Sequence, residues 1–101
     1  MRILMKVTMD LCKFNAAAKD GSVGAKIKKI LGELKPEAAY FAEFDGKRTG
    51  IFVLNLEDAS KIPAAAEPWF LTFDADVELH PAMVPDDLAK ANLEEMGKKW
   101  A

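Results

Sequence analysis

The chain has 101 residues, half of them hydrophobic and 30% charged, and its 14 Lys and Arg against 16 Asp and Glu leave a formal net charge of −2. This is the composition of one ordinary domain, 1–101, long enough to fold without metal or disulfide staples but with little core to spare. No net basic field attracts a phosphate backbone or an anionic lipid surface, and no apolar run approaches the ~18–20 residues that cross a bilayer, so neither nucleic acid nor a membrane is an expected partner.

The opening "MRILMKVTMDLC" is broken by Arg2, Lys6 and Asp10 and alternates, so it is expected to be a strand over 2–10 rather than a leader. Ile3, Met5, Val7 and Met9 form one apolar face and Leu4, Lys6 and Thr8 a mixed one. Cys12 is alone, which rules out an internal disulfide and fits a reducing cytoplasm. After a connection through "LCKFNAAAKDG", Val23, Ile27, Ile30, Leu31 and Leu34 recur at helical spacing, predicting a helix over 22–35 with Ser22 as cap and Pro36 as stop. Its opposite face, with Lys26, Lys28 and Lys29, is solvated and too short for a nucleic-acid patch.

Strands are expected over 38–45 and 48–56, joined at Asp45–Gly46, since Asp-Gly between two strand-like runs supplies the positive φ that a tight hairpin needs. A short helix over 59–70 follows, with Asp58 or Ser60 as cap and Pro68 ending or kinking it. A fourth strand covers 75–83. The last element is a helix over 85–99, with Pro85 and two acids at its start, lysines at its end, and Ala89, Leu93, Met96 and Trp100 on one stripe.

The order is β-α-β-β-α-β plus a C-terminal helix: an α+β, ferredoxin-like arrangement with a four-stranded antiparallel sheet covered by helices on one face. The other face is expected to carry Leu4, Lys6, Thr8, Phe41, Glu43, Val53, Asn55, Glu78 and His80, with Tyr40 on the helix side in the core. Such a half-apolar, half-charged open face calls for a covering partner that encloses polar groups in a cleft, and the simplest partner is a second copy, in a homodimer or a higher oligomer.

With that order in place, the chain resembles the dimeric α+β barrel superfamily, in which two ferredoxin-like subunits pack sheet to sheet and leave a pocket in each. "EPWF", with Pro68 and Phe70, and "VELHP", with Val77, Glu78 and Pro81, are similar to segments of muconolactone isomerases. The chain also looks like a group of bacterial proteins of this size, for which the resemblance implies the fold and no particular reaction.

His80, the only histidine, is the candidate general acid or base, with Glu78 two residues before it on the same strand face. The plainer alternative is a strand-end imidazole that is merely hydrogen-bonded. Lys6 with Glu78 is expected to form a polar pair in the cleft or a simple ion pair, and Glu43 is a weaker candidate for the same surface. Trp69 and Phe70 are either the apolar lip of a pocket for a flat ligand or a core plug beneath the helix end. Arg48 beside the hairpin is the candidate to hold an anionic group, or is ordinary surface. Asp74 and Asp76 belong to the turn entering the fourth strand. No second histidine or cysteine cluster completes a metal site, and no phosphate loop or redox spacing is present, so no cofactor is expected. The expected function is binding of a small acidic or aromatic molecule in the sheet-face cleft. The alternatives are a cofactor-free isomerase or monooxygenase-like enzyme using His80 and Glu78, and a non-catalytic assembly module.

Overall fold

Strand β1, Arg2–Thr8, alternates strictly: Ile3, Met5 and Val7 are buried, while Arg2, Leu4, Lys6 and Thr8 turn to the opposite side. The computed structural model describes residues 1–101. Strands β2, Ala38–Phe44, and β3, Lys47–Asn55, form a hairpin. Asp45 and Gly46 both have positive φ, 55° and 75°, as a two-residue primed turn demands. With β4, Asp76–Pro81, they make a four-stranded open sheet in the order β2-β3-β1-β4, antiparallel throughout. The chain is therefore α+β, and its order is compatible with a ferredoxin-like fold.

Helices α1, Leu11–Lys19, α2, Val23–Leu34, and α3, Ile62–Phe73, cover the face that carries Ile3, Met5, Val7, Phe52 and Leu54. Trp69 and Phe73 fill the space between α3 and the sheet, with the Trp69 ring stacked 5.0 Å from Phe52 and the Phe73 ring 5.6 Å from Phe14. Ile30 of α2 is buried, and Val23, Ile27, Leu31 and Leu34 pack against the same core, as the spacing predicts.

Several elements differ from expectation. The stretch expected to be a connection after β1 is helix α1: the Asp10 carboxylate accepts a hydrogen bond from Lys13 N–H at 3.0 Å, capping a run that has three alanines near its end and whose Phe14 and Ala17 face the core. Ser22 precedes α2, but its hydroxyl makes no capping bond. Residues 59–61 form a 3₁₀ turn, and α3 then runs through Pro68 to end at Asp74, whose φ is 47°. A proline inside a helix costs about 3 kcal/mol. Full burial of Trp69 and Phe73 on its far side contributes roughly 2–3 kcal/mol for each ring and outweighs that loss.

The single C-terminal helix is instead two, α4, Pro85–Lys90, and α5, Leu93–Lys99, broken at Asn92, which adopts a left-handed φ of 54°. Each half has acids in its first turn and lysine in its last, so each is matched to its own dipole. Every residue of both helices is exposed, and neither packs on the sheet or on α1–α3. The chain measures 59 × 29 × 19 Å, and its radius of gyration is 17.1 Å. A compact chain of this length has about 13 Å. No helix is long and apolar enough to cross a membrane.

Candidate functional site

The sheet face turned away from α1–α3 is laid out in rows by strand register. One row runs Glu78, Lys6, Ile51, Tyr40 from β4 to β2, and the next runs His80, Leu4, Val53, Ala38. On the first side of that row lie Asp76, Thr8, Thr49 and Ala42. The charged groups thus gather on β4 and β1, and the apolar ones on β3 and β2.

Tyr40 corrects the expected assignment. It is 68% exposed on this open face, whereas Phe41 and Glu43 lie on the helix side opposite Gly50 and Arg48. The reason is the hairpin itself: a two-residue Asp45–Gly46 loop pairs Phe44 with Lys47, so even-numbered positions of β2 share a face with odd-numbered positions of β3. That register was available in the sequence, and it would have placed Tyr40, Phe44 and Ile51 beside Lys6.

Glu78 stands between the Lys6 ammonium and the His80 imidazole. Its Oε2 is 3.8 Å from Lys6 Nζ and its Oε1 is 3.3 Å from His80 Nε2. Lys6 Nζ also stands 5.1 Å from the centre of the Phe44 ring. The Lys6, Glu78 and His80 side chains are 34%, 55% and 61% exposed. Contacts this open to water contribute at most about 1 kcal/mol, so fold stability does not explain the cluster. Chemically it offers a carboxylate that is ion-paired with an ammonium and hydrogen-bonded to an imidazole, a set able to hold a ligand carboxylate or to pass a proton between Glu78 and His80.

The other residues singled out from the sequence are not brought to this cluster. Arg48 turns toward α1, donating to Asn15 Oδ1 at 2.7 Å with its guanidinium 4.4 Å from the Phe14 ring centre. Glu43 accepts from Gly46 N–H at 2.8 Å and so braces the hairpin turn. Both border a hollow of about 390 Å³ formed with Met9, Phe14, Ile27 and Phe41. Trp69 is fully buried in the core, with no hydrogen-bond partner for its Nε1, and Phe70 is 40% exposed on α3. Asp74 caps α3, and together with Asp76, Asp10 and Lys47 it lines a separate hollow of about 540 Å³ at the hairpin end of the sheet. No three His, Cys, Asp or Glu side chains converge closely enough to hold a metal ion.

No family model and no curated protein matches this chain.

Proposed function

We propose that the chain binds a small aromatic or otherwise apolar acid on the open sheet face, in a cleft closed by the sheet of a second copy, as in the dimeric α+β barrels it resembles. The observation that carries this reading is the division of that face. Lys6 provides a cationic end with the His80 imidazole beside it, while Leu4, Ile51, Val53, Tyr40 and Phe44 form an uncovered apolar floor. A flat ligand lays its ring on the floor and its carboxylate against Lys6, competing with Glu78 for the ammonium. Closure by a second sheet removes water from these groups and strengthens each polar contact.

Calorimetric titration with simple aromatic carboxylates tests the proposal. Binding by the wild type that is lost in Lys6→Ala and weakened in His80→Ala supports it, and identical heats in all three chains sink it. The 3.3 Å approach of His80 to Glu78 favours a second reading, in which the pair moves a proton on the bound molecule. Chemical change of a bound ligand, lost in Glu78→Gln with binding retained, distinguishes catalysis from binding.

A further inference from the structure

Two apolar surfaces of this chain have no partner within it. One is the open sheet face. The other belongs to the C-terminal arm, 82–101, which leaves the sheet after the last β-type bond, from Ala82 N–H to the Arg2 carbonyl. Leu88 and Leu93 border one shallow hollow across the α4–α5 break, and Met96 and Trp100 continue the stripe three and seven residues after Leu93. These four side chains are 47–79% exposed.

Helices of six and seven residues do not hold their shape alone, since isolated helices shorter than about 12–15 residues are marginal in water. Their order has to come from a surface that their own subunit does not provide. We infer that the arm is exchanged: it lays the Leu88, Leu93, Met96 and Trp100 stripe on a second copy of this chain and receives that copy's arm in return. The inference rests on the two-copy part of the proposed function and adds the segment that clasps the copies together.

Area and geometry support it. Tyr40, Phe44 and the four arm side chains together expose on the order of 800 Å², which is the area that one partner contributes to a stable interface. The molecule is 59 Å long against 29 Å and 19 Å on its other axes, and α4 and α5 make no substantial contact with the sheet or with α1–α3, so the stripe is free to meet a second copy. Reciprocal exchange buries both arm stripes beside the sheet-to-sheet contact of the proposed dimer, and its two-fold symmetry leaves no open end for growth.

The two tryptophans make the arm observable, because Trp69 is fully buried and Trp100 is 79% exposed. Sedimentation equilibrium over a range of concentrations is combined with acrylamide quenching, the Trp100 signal being the difference between wild type and Trp100→Phe. The expected result is a dimer in which Trp100 is shielded, and a monomer on dilution in which it is quenched freely. The double variant Leu93→Lys/Met96→Lys should keep Trp69 shielded, expose Trp100 at every concentration and weaken the dimer by at least about tenfold. A wild-type dimer with Trp100 open to quencher overturns the exchange while leaving the sheet-face cleft standing. Shielding of Trp100 in the monomer, or an unweakened dimer in the double variant, also overturns it. Val53→Asp separates the two ideas: a dimer that persists there with Trp100 shielded retains the exchanged arm and defeats the sheet-face contact, whereas a wild type that is monomeric at all concentrations defeats both.

Discussion

The Phe52 ring lies across Gly50, two residues earlier on the same face of β3, so closely that a Cβ placed on Gly50 would meet ring carbons at 2.6 and 2.8 Å. Phe52 is held there by Trp69 on one side and by the edge of Phe41, 5.6 Å away, on the other. The glycine is therefore a packing requirement of the core.

Gly50→Ala is expected to destabilise the chain by roughly 1–3 kcal/mol, the range for overpacking a filled core. Adding Phe52→Leu should recover part of that loss, because the two residues share one space and their effects are not additive. Urea denaturation of the two single variants and the double variant measures the coupling. Strict additivity would show that the strand simply shifts to admit the methyl group.

Trp69 contributes through volume alone, since its buried Nε1 has no partner. Trp69→Ala should cost about 3–5 kcal/mol, a large part of the stability of a small domain. Trp69→Phe should cost much less, because it keeps an aromatic ring against Phe52 and removes an unsatisfied donor. Equal losses in the two variants would mean that the indole nitrogen has a bonding role.

His80→Ala and Glu78→Gln are expected to leave the urea midpoint nearly unchanged, within about 0.5 kcal/mol, since both groups are exposed and paired only at the surface. Their effect should appear in titration with aromatic carboxylates. A large drop in stability for either variant would assign the pair to folding and remove the support for a site.

Much of the architecture was legible because local rules and tertiary packing agree. The alternation of Ile3, Met5 and Val7, the Asp45–Gly46 turn and the spacing in α2 each point to the structure they adopt. Where packing overrides a local rule, sequence reasoning failed: Pro68 continues a helix whose flanking Trp69 and Phe73 are buried. The break at Asn92 was obscured by an apolar stripe that runs across it, although the two sets of terminal charges mark two helices. For the site, the Lys6–Glu78–His80 neighbourhood followed from period-two alternation on paired strands. Tyr40 differs from expectation because the two-residue hairpin, and not alternation within β2 alone, sets which face its side chain shares with β3. Trp69, Arg48 and Glu43 show the limit of residue type as a guide, since which way a tryptophan or arginine turns depends on what the helices leave open.

That corrected parity is itself testable. In the sheet-to-sheet dimer we propose, Tyr40→Asp and Val53→Asp should both reduce association, whereas Glu43→Gln, on the helix side, should not. Sedimentation of the three chains at one concentration decides the matter. A Tyr40 variant that dimerises like wild type would move the interface away from β2.

Acid stability provides the last prediction. The Asp58 carboxylate accepts from the Ser60 hydroxyl and from Ser60 N–H at the start of the 3₁₀ turn, and these bonds hold its pKa below the ordinary 3.8. A carboxyl with a depressed folded pKa stabilises the fold fully above its unfolded value, and that contribution disappears as pH falls through the folded one. Asp58→Asn keeps an acceptor at the same place but removes the charge. Its urea midpoint should therefore lie slightly below wild type at pH 7, and the gap should close as the solution is acidified through 3.8 and below. Asp58 is fully exposed, so the effect is small and weakened by salt. A gap that is constant with pH would assign the cap to the geometry of the oxygen acceptor and leave its charge without a role.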